Sequence, residues 1–153
     1  MLINPVGVPC ADVPEGGSAT HVPGTRMIRV LIVDDHDLVR AGMHSILSQA
    51  DGIVVVGECT DGEQVLAAVG AVTPDVVLMD RQMPAVGGPA ATRALLTTFP
   101  TTKVLMMSVA GTDGVLREAA AAGAVGCVIK NGNSGHLIAA IRAVATGASA
   151  WPV

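Results

Sequence analysis

Five short apolar runs recur along the chain, and each is followed or closed by a polar residue. They are "IRVLIV" (28–33), "IVVVGE" (53–58), "DVVLMD" (75–80), "KVLMMS" (103–108) and "AVGCVI" (124–129). Runs this short and this aliphatic read as buried strands. Between them lie segments with helical spacing. Residues 37–49 place Val39, Met43, Ile46 and Leu47 on one stripe, and 61–71 follow with Asp61 as N-cap. Residues 89–99 stop before Pro100, 113–122 are Ala-rich and stop at Gly123, and 134–146 carry Leu137, Ile138, Ile141 and Val144. Five βα units in series, with strands apolar on both faces, imply an α/β domain with a five-stranded parallel sheet and helices on both faces. Right-handed crossovers then gather all strand C-termini at one edge, where ligands of open α/β sheets bind.

A chain of 153 residues suits one such domain. Half the residues are apolar and 14% are charged, which excludes disorder of the whole chain. The formal net charge is −4, and nine Lys and Arg spread over the chain make no basic face, so DNA binding by this chain itself is not expected. Cys10, Cys59 and Cys127 are odd in number and show no CxxC spacing; they fit free thiols in a reducing compartment. No uncharged apolar run reaches the ~18 residues of a membrane span, and the N-terminus lacks a signal peptide's pattern. A cytoplasmic protein with no membrane partner is expected. Residues 1–26 hold four Pro and four Gly without period and read as a flexible leader. Residues 27–147 form the expected domain, with Met27 as a possible alternative start, and 148–153 begin a linker or tail.

The polar residues at the strand ends carry the chemistry. Asp34 and Asp35 follow the first strand, Asp80 ends the third, Ser108 the fourth and Lys130 the fifth. Three carboxylates at one rim repel one another and raise each other's pKa. A divalent cation removes that conflict, and an all-oxygen site favours Mg²⁺. A hydroxyl and an ammonium add a donor and a positive charge for an anion's other oxygens. That combination suits a phosphoryl group, whose transfer depends on positioning and charge neutralisation. Taken singly, each element has an ordinary reading: acids after a strand are commonly caps, Ser after a strand a turn residue, and lysine a solvated end. Only their conjunction at four strand ends points to a site. His36 reads as a solvated loop residue, Cys127 as a small strand residue, and Arg81 as facing solvent or a partner.

These motifs resemble the receiver domain of two-component response regulators, in the style of LuxR-type (NarL/FixJ-like) regulators. "LIVDDHDLVRAG" is similar to that family's acidic pair and first helix, "VVLMDRQMPAVGG" to its phosphoacceptor loop, and "VLMMS" and "GAVGCVIK" to the strands that supply hydroxyl and lysine. The resemblance covers about 27–147 and implies a (βα)5 flavodoxin-like fold. Carried over, Asp80 would be phosphorylated by a sensor histidine kinase. Asp35 and Asp80 would ligate Mg²⁺ directly, Asp34 directly or through water, and the backbone carbonyl of Gln82 would add a ligand. Ser108 and Lys130 would contact the phosphoryl group, and Met83, Pro84 and Gly88 would shape the loop. The resemblance also implies a homodimer on activation, through about 112–146 or through the first and last helices. It implies a DNA-binding domain elsewhere in a full-length regulator, the present chain being either truncated or a stand-alone receiver.

Three positions depart from the family pattern. Cys127 stands where an aromatic residue usually precedes the lysine, Val109 where a small residue follows the hydroxyl, and Gly87 where Asp or Asn precedes the loop glycine. Bulk at Val109 is expected to narrow access to Asp80. Without a ring at 127, the phosphorylation response is expected to concentrate in the loop after Ser108. Two other readings compete. One is a receiver-like interaction module whose switch has decayed. The other is a Mg²⁺-dependent phosphohydrolase of the haloacid dehalogenase type, built on Asp35 and Asp37. The latter lacks an acidic pair after Lys130 and leaves Asp80 without a role.

Overall fold

The computed structural model describes residues 26–130 and 133–152. The expected leader therefore lies outside the described residues except for Arg26, as does Cys10. The elements run β1 (Ile28–Val33), α1 (Asp37–Ser48), β2 (Ile53–Cys59), α2 (Val65–Val72), β3 (Val76–Asp80), α3 (Gly88–Thr98), β4 (Lys103–Ser108), α4 (Asp113–Ala122), β5 (Gly126–Ile129) and α5 (Ser134–Ala145). The five strands form one parallel sheet in the order β2-β1-β3-β4-β5. This is the flavodoxin-like doubly wound order, in which the direction of winding reverses between β1 and β3.

Alternation along each strand explains why both faces carry helices. Val30 and Ile32 of β1, Leu78 of β3 and Leu105 of β4 join Leu47 of α1 and Ile141 of α5 in one core. Their neighbours Leu31, Val33, Met79 and Met106 point the other way, to Ala68 of α2, Leu95 of α3 and Ala119 of α4. Each side chain of this size contributes about 1.5–3 kcal/mol when fully buried. The sheet is thus packed against apolar cores on both faces.

Two boundaries differ from the sequence reading by more than one residue. The segment expected as one helix from 61 opens with a 3-10 turn, Gly62–Gln64, before α2 begins. A Cβ on Gly62 would stand 2.5 Å from the Val86 carbonyl oxygen, so a loop from β3 crosses close to this turn. The fifth strand begins at Gly126 rather than 124: the Ala124 N–H still bonds back to Ala119 of α4, and Val125 makes a first bond to Val104 before the regular strand starts. After α5, Gly147 takes φ 98°, a left-handed conformation that glycine adopts without strain. It turns the chain back towards the sheet, where Ala150 bridges Gly126 in parallel.

Candidate functional site

Main-chain pairing continues one residue past several strands and sets the height of the polar residues. Asp34 donates its N–H to the Cys59 carbonyl at 3.1 Å, Arg81 to Met107 at 2.9 Å, and Lys130 to Ser108 at 2.8 Å. The side chains of Asp34, Asp80 and Lys130 then converge. Lys130 Nζ lies 2.8 Å from Asp34 Oδ2 and 2.9 Å from Asp80 Oδ1. Asp34, Asp80 and Ser108 are all buried. Asp80 pairs in register with Met107, so Ser108 stands one residue further along the adjacent strand. Its Oγ accepts a 3.3 Å hydrogen bond from the Ala110 N–H.

Charge in this cluster is unevenly compensated. Burial works against the Lys130 ammonium, but hydrogen bonds to Asp34 and Asp80 outweigh it and hold Lys130 above 10.5. At Asp80 burial dominates; the Lys130 hydrogen bond opposes it, the Asp34 charge adds to it, and the carboxyl stays above 3.8. One ammonium thus serves two buried carboxylates and leaves Asp80 short of positive charge. The Gln82 backbone also works against the rise at Asp80, while the Gln82 side chain is exposed.

Asp35 differs from Asp34. Both Asp34 oxygens are engaged, one by Lys130 and the other by the His36 N–H at 2.8 Å. Among the described residues, Asp35 Oδ1 is buried with no hydrogen-bond partner. His36 Nδ1 is 3.1 Å from that oxygen, though not in hydrogen-bond geometry. The imidazole is mostly in solvent, as expected, but its inner nitrogen borders the acids. Ligand atoms of Asp34, Asp35, His36 and Asp80 all lie within 4.8 Å of one another. A buried carboxylate oxygen without a donor, beside two further acids, fits a hard cation.

The supports of this cluster were not legible in the motifs. Arg40 reaches back from α1, donating to the Asp34 carbonyl at 2.8 Å and pairing with Asp37 at 2.7 Å and Glu58 at 3.2 Å. It locks the loop that carries both acids. Asp61 does cap the turn, accepting from the Glu63 N–H at 3.0 Å. It also accepts from Ala85 at 3.0 Å and Val86 at 3.3 Å, so it holds the loop after Asp80 as well. Burial opposes its charge, but the backbone donors Glu63, Ala85, Val86 and Gly62 together pull its pKa below 3.8. Gly88 is required for close approach: a Cβ there would stand 2.4 Å from the Asp80 carbonyl oxygen. Gly87 is the N-cap of α3 and offers no side-chain acceptor.

Some expectations need correction or sharpening. Arg81 does not simply face solvent: its guanidinium lies 3.3 Å from Glu118 of α4, at the partly buried seam between the phosphoacceptor-like loop and that helix. Val109 is 77% exposed beside buried Ser108. Cys59 and Cys127 are free and buried. Burial pushes the Cys59 thiol up to about 12, against the opposing charge of Arg40. Burial also raises Cys127, with Arg81 opposing. Protonated buried thiols are poor nucleophiles, so both act as packing residues. Asp37 is 90% exposed, pairs with Arg40 and is not among the acids whose ligand atoms converge. The phosphohydrolase reading, which needs Asp35 and Asp37 together, loses its geometry.

Comparison with known proteins agrees with this arrangement. The family of response regulator receiver domains matches residues 30–142. Response regulator GacA from Pseudomonas viridiflava is 45% identical over 121 residues, covering 79% of this chain and 56% of that protein. Response regulator UvrY from Escherichia coli K12 is 40% identical over the same shares. The chain therefore spans about half the length of these relatives. Among solved structures, a LuxR-family response regulator from Aurantimonas superposes with a TM-score of 0.78 at 31% identity, covering 81% of this chain and 89% of that one. The receiver domain of the putative regulator NarL from Mycobacterium tuberculosis gives 0.75 at 32% identity, covering 80% and 98%. With the family match spanning most of the domain and the strand-end acids in place, this chain belongs to the response regulator receiver domain family.

Proposed function

We propose that Asp80 is the phosphoacceptor of this receiver and that a sensor histidine kinase supplies the phosphoryl group. An Asp80 carboxylate oxygen attacks the phosphorus of a phosphohistidine, the phosphorus–nitrogen bond breaks, and the imidazole leaves with that electron pair. The observation that carries this reading is one ammonium, Lys130, at 2.8 and 2.9 Å from two buried carboxylates, beside an Asp35 oxygen with no donor. Asp34, Asp35, Asp80 and the Gln82 carbonyl would hold Mg²⁺. Asp35 and Asp80 would be its direct side-chain ligands, because Asp34 already spends both oxygens. The cation, when bound, neutralises charge that Lys130 alone leaves uncompensated. Lys130 pairs with the incoming phosphoryl group, and Ser108 turns its hydroxyl to a phosphoryl oxygen.

In this reading residues 27–147 are the receiver unit, 1–26 a leader and 148–153 the start of a linker or tail. The site is a signalling site rather than one that turns over an external substrate. The relatives are response regulators longer than this chain. Control of transcription through a DNA-binding domain, activation through a homodimer and a cytoplasmic setting follow as parts of the same proposal. Among the described residues no helix is long and apolar enough to cross a membrane. Cys127 and Val109 favour a second reading, an interaction module without normal switching.

The deciding experiment is incubation with acetyl phosphate and Mg²⁺, followed by intact mass and peptide mapping. A single label on Asp80, absent in Asp80→Asn, is expected. A label on Asp35, or one that survives in the variant, overturns the assignment. No label at all favours the interaction module.

A further inference from the structure

Residues 148–152 run back along the open edge of β5. Ala150 donates to the Val125 carbonyl at 3.0 Å and accepts from the Cys127 N–H at 2.9 Å. The segment behaves as a rudimentary sixth strand. Ala150 packs into the core on the α1–α5 face, and Trp151 packs against the core on the opposite face. The seat is shaped for it: a Cβ on Gly126 would stand 2.4 Å from the Ala150 carbonyl oxygen. Val128 belongs to the α1–α5 core, so Cys127, its neighbour in β5, faces the side of the sheet that carries Trp151. Trp151 and Cys127 line one groove. The chain's single tryptophan is thus mounted beside the strand position that lacks a ring.

The opposite end of β5 is wired to the candidate phosphorylation site. Lys130 follows Ile129 directly and holds Asp80 at 2.9 Å. The loop after Ser108 touches the same strand, since a Cβ on Gly111 would lie 2.7 Å from Ile129 Cδ1. A phosphoryl group on Asp80 draws on Lys130 and Ser108, and both displacements bear on a strand of only four residues. We propose that residues 148–152 are a strap whose grip on β5 loosens when Asp80 is phosphorylated, with Trp151 in the signalling place that an aromatic at 127 would hold. This rests on the phosphoacceptor reading above. Among the described residues the strap is held by two backbone hydrogen bonds, and its closest seat leaves no slack. A slight shift of β5 therefore moves the population from seated to released.

The 153-residue chain is treated with acetyl phosphate and Mg²⁺. Label is counted by intact mass on the same samples used for tryptophan emission and amide exchange. In labelled protein, Trp151 emission shifts to longer wavelength and the Cys127 amide exchanges several-fold faster. Ala150→Pro removes the N–H that binds Val125; it takes up label but shows the long-wavelength emission before and after. Stoichiometric label with unchanged emission and unchanged Cys127 exchange overturns the strap and leaves the phosphoacceptor reading intact. A full emission shift persisting in Ala150→Pro also overturns it. Failure to label overturns both.

Discussion

Among the described residues nothing donates to the buried Oδ1 of Asp35, and in the proposed reading this makes Asp35 the acid that a cation satisfies most directly. Asp34 is committed to Lys130 and to the His36 amide. Asp35→Asn should therefore weaken Mg²⁺ binding by more than the roughly 10–100-fold typical of losing a group that only supports a ligand. Arg40→Ala removes a support rather than a ligand and should cost about tenfold. Titration followed by calorimetry checks both, and equal affinity in Asp35→Asn and the parent protein would contradict the ligand assignment. The thiols at 59 and 127 should resist alkylation in the folded protein, since burial holds both in the protonated form.

At the scale of elements, loops are positioned by groups borrowed from other loops. Asp61 sits after β2 yet holds Ala85 and Val86 of the loop after β3. Its folded pKa lies below 3.8, so folding favours the ionised form. The stability this contributes is present above 3.8 and is lost as pH falls through the lower folded value. Asp61→Ala should cost about 1 kcal/mol at neutral pH, the usual loss for an N-cap. The gap between the two proteins should close in acid. Urea unfolding across that range tests this, and a pH-independent gap would assign the effect to helix propensity instead. Arg81 and Glu118 form the corresponding tie between the β3–α3 loop and α4.

For the whole molecule, the sheet edge is supported by two cores that share one sheet. Ile141 of α5 is fully buried against the α1–α5 face. Ile141→Ala should destabilise the fold by about 2–5 kcal/mol through lost burial and an unfilled cavity. Chemical denaturation reads this directly. A loss well below 1 kcal/mol would show that α5 repacks and is not a fixed wall for β5. The site lies where the winding of the sheet reverses, between β1 and β3, so neither strand's following loop covers the other's end. The acids of both strands meet there, and the lysine of β5 reaches across β4 to join them.

The sequence by itself determined the class of fold and which polar residues gather at the sheet edge. Strand and helix periods are local, and crossovers have one hand, so Asp34, Asp35, Asp80, Ser108 and Lys130 had to reach one edge. Strand ends and most helix limits were legible for the same reason, as was the capping role of Asp61. What touches what was not legible. The second task of Asp61, the inward reach of Arg40, the pairing of Arg81 with Glu118 and the return of Trp151 to β5 join residues far apart in the chain. Such contacts depend on strand order, on the direction each side chain leaves its element and on how closely backbones pass. Gly126 shows the limit well. As a letter it is a glycine in a short strand, and only the tertiary structure shows that its missing Cβ makes room for the Ala150 carbonyl.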